Sequence, residues 1–376
     1  MARATRRSRW PTSTKTATST STSPTTRRRR STTCTRTTNW RRTASPGARR
    51  RAKGCATASS RRSTSTTRSS AEDGLSGPAE TGEVDALYLN RGDGTFEKAQ
   101  DLERRFLGAA GAPAGLAPDW GLAAKFQDLN QDGRADLYVA NDFWTPDRLW
   151  LGQGDGTFRA AEKLALRSAS FSAMAVDFSD VNRDGALDFF VAEMLSARHQ
   201  RRLRQHIPND PTSPERIDAR PQYNRNSLYL NRGDGTYAEI AYFAGVAASE
   251  WSWAVRFLDV DLDGYDDLLV ATGFSHDVQD IDSQRRAGRK MARQPERRFL
   301  TDYPPLPLRN KAFRNNGDLT FSERSRAWGF SAERDVAHGM AAADLDLDGD
   351  LDLAVNRLGA PAGLYRNEAS AARIRE

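Results

Sequence analysis

A carboxylate-rich loop of nine residues is the part of this sequence best suited to chemistry. Asp259, Asp261, Asp263 and Asp267 stand at its positions one, three, five and nine, and Gly264 stands at position six. Alternating oxygen side chains around a glycine turn are how a short loop wraps a hard cation such as calcium, while position seven supplies its backbone carbonyl. Without a cation, so many carboxylates in one loop would repel each other.

The same spacing occurs in four loops, here named loop 1 (residues 128–136), loop 2 (180–188), loop 3 (259–267) and loop 4 (344–352). An acidic surface turn is the alternative to a metal site, but four matches in register favour calcium. We therefore predict about four Ca²⁺ sites with a structural role. The predicted ligand residues are Asp128, Asn130, Asp132, Arg134 and Asp136; Asp180, Asn182, Asp184, Ala186 and Asp188; Asp259, Asp261, Asp263, Tyr265 and Asp267; and Asp344, Asp346, Asp348, Asp350 and Asp352.

Short strand patterns surround each loop. Apolar residues flank the loops, and a second motif, Leu-Tyr-Leu-Asn-Arg-Gly-Asp-Gly-Thr-Phe at residues 87–96, recurs in variant form at 149–158, 228–237 and 312–321. A strand that runs into a Gly-Asp-Gly turn and a second strand is typical of a β-hairpin. One unit is thus strand, cation loop, strand, connection, strand, turn, strand.

Repetition of this four-stranded unit predicts an all-β protein, a β-propeller of four-stranded blades. Four full repeats with a partial one at each end lead us to expect an incomplete ring. The connections at residues 194–227 and 273–311 are long and rich in Arg and Pro. We expect them to contain short helices, to cover one face and to carry the binding function.

Composition divides the chain into residues 1–71 and residues 72–376. The net charge of +7 hides an uneven distribution, because the first 71 residues hold 19 Lys and Arg and no acidic residue, whereas the remainder holds 37 basic and 49 acidic residues. The first segment has too few large apolar residues to form a core, so we predict that it is disordered. Taken literally, it is a basic arm of the kind that binds nucleic acid through phosphate contacts.

We prefer the interpretation that residues 1–71 are a further repeat translated in a shifted reading frame. Residues 12–26 are compatible with coding DNA that reads Asp-Val-Asp-Glu-Asp-Gly-Asp-Leu-Asp-Leu-Tyr-Val-Ala-Asn-Tyr one base earlier. On this interpretation the basic arm and the cysteines Cys34 and Cys55 carry no biological information, and any signal peptide was lost with the frame. We then expect no nucleic-acid partner, and no apolar run approaches the ~18 residues of a membrane span.

The loops and the hairpin motif resemble the FG-GAP/VCBS repeats, which are similar to the head of integrin α chains. Together with residues 250–253 (Glu-Trp-Ser-Trp) they look most like the bacterial branch related to cartilage acidic protein and the ASPIC/UnbV proteins. The resemblance covers about residues 87–367. It implies calcium-bound propellers that are secreted, periplasmic or on the cell surface and that serve in binding or adhesion to a protein or carbohydrate ligand.

The first functional hypothesis is therefore a calcium-binding adhesion module without catalytic residues. The alternative is a secreted enzyme acting on polysaccharide over the central channel, but the sequence singles out no catalytic cluster. The two Arg-Gly-Asp triplets that begin at Arg91 and Arg232 are interpreted as hairpin turns, and the four histidines as surface residues. Trp251 and Trp253 are expected to pack in the core between blades.

Overall fold

The computed structural model describes residues 32–33, 82–116, 118–142, 145–205, 220–291 and 300–369. These residues form an all-β, propeller-like fold with few and short helices, which confirms the predicted fold class. Apart from a two-residue strand at 32–33, the basic segment 1–71 and both proposed domain boundaries lie outside the described residues. In the part of the chain that the structure describes, no helix has the length and hydropathy of a membrane span.

The first described strands form a partial sheet ahead of the complete blades. The hairpin of residues 87–96 folds as predicted, with β2 (Tyr88–Asn90) and β3 (Phe96–Lys98) antiparallel and Asn90 opposite Phe96. The elements of this region are β1 (Thr32–Thr33), β2 (Tyr88–Asn90), β3 (Phe96–Lys98), α1 (Leu102–Arg105) and β4 (Phe106–Leu107).

Four antiparallel sheets follow, and we call them blades 1 to 4. Blade 1 contains β5 (Gly121–Gln127), β6 (Asp136–Asn141), β7 (Arg148–Gly152) and β8 (Phe158–Ala160), with β4 parallel to β8. After β9 (Ala169–Ser170), blade 2 contains β10 (Ala175–Ser179), β11 (Asp188–Ala192), β13 (Ser227–Asn231) and β14 (Tyr237–Glu239). Blade 3 contains β15 (Ser252–Leu258), β16 (Asp267–Thr272), β19 (Lys311–Asn315) and β20 (Phe321–Glu323). Blade 4 has three described strands, β21 (Ala337–Ala343), β22 (Asp352–Arg357) and β23 (Gly363–Tyr365).

The blades stand side by side through their first strands, since β10 lies against both β5 and β15, and β15 lies against β21. Each cation loop joins the first strand of a blade to the second, and in blades 1 to 3 a hairpin turn, Gly-Asp-Gly or in blade 3 Gly-Asp-Leu, joins the third to the fourth. Because the strands are antiparallel, loops and turns all emerge at one end of the blades, which we call the loop face. The long connections emerge at the opposite end, the connection face.

Apolar cores lie between neighbouring blades, and the second strands supply both sides of them. In β11, Phe189 and Val191 enter the core shared with blade 1, while Phe190 and Ala192 enter the core shared with blade 3. Successive side chains of a strand point to opposite faces, so a strand buried on both faces is a continuous apolar run. That is why apolar and polar residues do not alternate in β11, which reads Asp-Phe-Phe-Val-Ala.

The long connections contain short elements, as expected. The first holds α2 (His199–Arg202) and β12 (Gln222–Tyr223), which pairs with β9. The second holds β17 (Phe274–His276), α3 (Ile281–Met291), a 3₁₀ turn (Leu300–Asp302) and β18 (Pro305–Leu306). Residues 206–219 and 292–299 of these connections lie outside the described part.

The core between blades 1 and 2 gives a direct test of this packing. The ring of Phe189 is fully buried, 4.6 Å from Tyr229 and 5.0 Å from Tyr138. We expect Phe189→Ala to lower the free energy of unfolding by about 3–5 kcal/mol, the usual cost of removing a buried phenyl ring. Urea-induced unfolding measures it. The control is Phe243→Ala in the turn that follows β14, where the ring is exposed; equal losses in both variants would contradict the proposed core.

Candidate metal centre

The four loops share one backbone conformation. Position six is glycine in the left-handed region in every loop, with φ between 80° at Gly133 and 95° at Gly349. Position four is also left-handed although it is never glycine, with φ between 57° at Leu262 and 61° at Arg183. A non-glycine residue with positive φ is uncommon, so its recurrence at the same place in four loops shows that the turn is specified by the fold.

The first aspartate closes each loop on itself. In loop 2 the two oxygens of Asp180 accept hydrogen bonds from the peptide N–H groups of Asp184 and Gly185, at 3.0 and 2.9 Å. Asp128 and Asp344 make the same pair of contacts in loops 1 and 4. In each loop the N–H of position seven donates to the carboxylate of position five. These bonds fix the oxygen side chains in place before any ion binds.

The ninth aspartate joins the loop to the rest of its blade. In loop 3, Asp267 accepts the N–H of Val260 at 3.0 Å through one oxygen and the N–H of Asn315 at 2.8 Å through the other. The other three loops repeat this pair of bonds with Asp136, Asp188 and Asp352. The carboxylate therefore ties position two of the loop to the end of the third strand.

In loops 1, 2 and 3 burial makes this carboxylate costly to ionise. Desolvation raises the pKa of Asp188 to about 7 and that of Asp267 to about 8, although the N–H groups of Asn231 and Asn315 pull in the other direction. Charged groups of the same loop add to the rise. A cation placed among these oxygens would favour the ionised form.

Loop 3 fits an oxygen-bound cation. One ligand oxygen from each of Asp259, Asp261 and Asp267 lies within 4.8 Å of the other two. Two oxygens that are each 2.3–2.6 Å from one calcium ion are at most about 5 Å apart, so this spacing suits calcium. Oδ1 of Asp259 and Oδ1 of Asp261 are buried without a hydrogen-bond partner. Buried acceptors of this kind normally have a partner, which a bound cation would provide.

Loop 4 forms a similar cluster from Asp344, Asp346 and Asp348. In loops 1 and 2 an asparagine takes position three, and its side chain contacts position five instead. Asn182 Nδ2 donates to Asp184 Oδ2 at 2.9 Å, and Asn130 does the same to Asp132. The structure thus brings positions one, three and nine together in loop 3, and positions one, three and five together in loop 4. For position seven the predicted carbonyl ligand stays a prediction in all four loops.

The sequence interpretation missed the asparagine that ends the third strand. Asn315 Nδ2 donates to the carbonyl of Val181, at position two of loop 2, at 2.8 Å, and to that of Asp266 in its own blade at 3.3 Å. Asn231 makes the corresponding bond back to loop 1, and Asn367 to loop 3. Each asparagine therefore clasps its blade to the loop of the preceding blade. The signal was the asparagine that three of the four hairpin motifs share, as Asn90, Asn231 and Asn315, where the blade 1 motif has Gly152.

The two other sequence motifs have structural roles. Asp93 and Asp234 of the Arg-Gly-Asp triplets each accept hydrogen bonds from the N–H and hydroxyl of the threonine two residues later, so they build the hairpin turn as expected. Trp251 is buried and stacks on Phe274 at 4.5 Å, which confirms its place in a core.

The histidines do not all behave as surface residues. His199 is exposed as expected, whereas His206 lies outside the described residues. His338 is half-buried against Trp253, with the ring centroids 4.4 Å apart. Its prediction as a surface residue was therefore wrong, because the long connection after β16 places Phe274 beside Trp253 and His338 completes this aromatic stack.

Replacing Asn315 should weaken the contact between blades 2 and 3. We expect Asn315→Ala to lower the free energy of unfolding by about 1–3 kcal/mol, because buried carbonyls lose their donor. Urea-induced unfolding with calcium present measures this change. Asn316→Ala is the matched control, since the Asn316 side chain bonds only to exposed groups of its own turn. A loss no larger than that of the control would contradict the clasp.

Comparisons with known proteins agree with the repeats. None of the curated proteins compared with this chain matches it. A solved structure of an Agrocybe aegerita lectin, described for specific recognition of non-reducing terminal N-acetylglucosamine, is similar at 12% identity over 77% of this chain and 76% of the lectin chain, with a TM-score of 0.28. Residues 128–191 and 219–270 match the family model described as FG-GAP-like repeat, and the chain therefore contains FG-GAP-like repeats at these two places.

Proposed function

We propose that this protein is a calcium-stabilised β-propeller that serves as a binding or adhesion module and catalyses no reaction. The observation that supports it most is the arrangement of loop 3, where three carboxylates converge and two buried oxygens have no hydrogen-bond partner. When bound, calcium supplies positive charge and oxygen coordination to these groups. The chain's own residues hold the loop in its turn and transmit its order to the neighbouring blade through Asn315.

Bound calcium is expected to add several kcal/mol to the free energy of unfolding. Extracellular calcium modules bind with dissociation constants of roughly 10⁻⁴–10⁻³ M. At a calcium concentration ten times the dissociation constant, one site stabilises the folded state by about 1.4 kcal/mol, and four sites by about 6 kcal/mol. Millimolar calcium is found outside the cytoplasm, which favours a secreted, periplasmic or surface location.

The connection face is the proposed binding surface. Arg201 of α2 is buried and pairs with Glu250 at 3.2 Å and with Asp277 at 2.9 Å. These two carboxylates belong to segments on either side of β15 and β16, so the ion pairs hold the first long connection against blade 3. A surface fixed in this way suits recognition of a protein or carbohydrate ligand. Within the family, the Glu250–Trp253 segment supports the branch related to cartilage acidic protein and ASPIC/UnbV proteins.

Calcium should therefore control thermal stability. We expect a chelator to lower the melting temperature by on the order of 10 °C relative to excess calcium, since about 6 kcal/mol of binding energy is lost. Thermal unfolding followed by circular dichroism measures the difference. Asp259→Asn should reduce the calcium-dependent rise by about a quarter, because one of the four proposed sites is lost.

The matched control is Asp234→Asn, which removes the same charge from an exposed hairpin turn outside the loops. Its calcium-dependent rise should equal that of the unchanged protein. An identical melting temperature with chelator and with calcium would contradict the proposed structural role of the ion.

A further inference from the structure

The carboxylate at position five has a nitrogen donor on its outer oxygen, Oδ2, in all four loops, but the donor is of two kinds. In loop 2 the side-chain amide of Asn182, at position three, supplies it to Asp184 at 2.9 Å. Loop 1 has the same bond from Asn130 and a further contact from Arg134, whose side chain is half exposed. In these two loops position three contributes a donor and no charge.

In loops 3 and 4 position three is aspartate, which has no donor to offer. There the donor comes from an arginine at the end of the third strand, within β19 in blade 3 and directly after β23 in blade 4. Arg314 Nε bonds to Asp261 Oδ2 at 2.7 Å, and its Nη2 bonds to Asp263 Oδ2. Arg366 pairs with Asp346 at 2.5 Å and reaches Asp348 at 3.5 Å. Both kinds of loop therefore satisfy the same outer oxygen.

The strand position of these arginines is equivalent in every blade. The preceding residue, Phe313 in blade 3 and Tyr229 in blade 2, faces the second strand in the same register. The next residue is Arg314 in blade 3 but Leu230 in blade 2. Blade 4 has Arg366 and blade 1 has Leu151 at this place. Asparagine at position three thus accompanies leucine on the strand, and aspartate accompanies arginine.

Loops 2 and 3 also agree in formal charge. Positions one, three, five and nine carry three carboxylates in loop 2 and four in loop 3, where the guanidinium of Arg314 adds one positive charge. The sum is −3 in both loops. Arg314 is about 29% exposed, while Asp261 and Asp263 are nearly buried, so the pair is only partly screened by solvent.

We infer that Arg314 and Arg366 are internal counter-cations of loops 3 and 4, which replace both the donor and the neutrality of the asparagine in loops 1 and 2. The inference rests on the proposed calcium function for its effect on ion binding, although the charge balance holds without it. Arg314 binds the outer oxygen of Asp261, while the inner oxygen, Oδ1, has no hydrogen-bond partner. The guanidinium can therefore stabilise the loop while Oδ1 of Asp261 stays available to coordinate an ion.

The test is a cycle of four proteins: the unchanged full chain, Asp261→Asn, Arg314→Leu and the double variant Asp261→Asn/Arg314→Leu. The double variant has the residues that loop 2 already uses. In chelator, the melting temperature of Arg314→Leu should lie about 5 °C or more below that of the unchanged protein. Loss of one partner of a largely buried ion pair destabilises the fold several-fold more than loss of one partner of an exposed ion pair. The double variant should regain most of this loss.

Calcium gives a second readout. Excess calcium should reduce the deficit of Arg314→Leu, because the ion supplies the missing charge. Lys311→Leu is the control on the same strand, where the pair with Glu323 lies outside the loops; its change in melting temperature should be equal with and without calcium. If Arg314→Leu does not fold in chelator, folding of the double variant under the same conditions still supports the counter-cation.

The inference is overturned if the double variant is no more stable in chelator than Arg314→Leu, because Asp261 and Arg314 would then act independently. A failure of the calcium function is recognised separately. In that case the unchanged protein shows no rise in melting temperature with calcium, while the cycle in chelator still decides the role of Arg314.

Discussion

The structure depends on one repeated interaction, the carboxylate at position nine of each loop. Asp267 accepts one N–H from its own loop and one from the end of the third strand, and it does so in a buried place. The residue that receives its second bond, Asn315, uses its side chain to reach the loop of the preceding blade. Loop, strand and neighbouring blade are therefore held through one carboxylate and one amide.

That arrangement concentrates negative charge, and three kinds of interaction offset it. Peptide N–H groups point at the first, fifth and ninth carboxylates, and arginines pair with the third and fifth in loops 3 and 4. The raised pKa of Asp267, about 8, shows that these donors leave part of the desolvation cost of the ionised carboxylate unmet. The third is the calcium ion that we propose, and it is the one that would connect stability to the surroundings of the protein.

Sequence patterns predicted the blades well because each relies on local rules. Continuous apolar runs after the loops became the doubly buried second strands, and the Gly-Asp-Gly motif became a hairpin turn. The clasp of Asn315 and the pairing of Arg314 were not predicted. Both contacts join residues far apart in the chain, so nothing short of the assembled blades places them together. The surface position predicted for His338 was wrong for the same reason, since its aromatic neighbours come from another strand and a long connection.

The number of calcium ions bound per chain decides whether the four loops are calcium sites. Native mass spectrometry, or equilibrium dialysis against radioactive calcium, should be performed on the full chain at millimolar calcium. We expect four bound ions, one for each loop. Absence of bound calcium at concentrations well above 10⁻³ M, the weak end of extracellular sites, would contradict it.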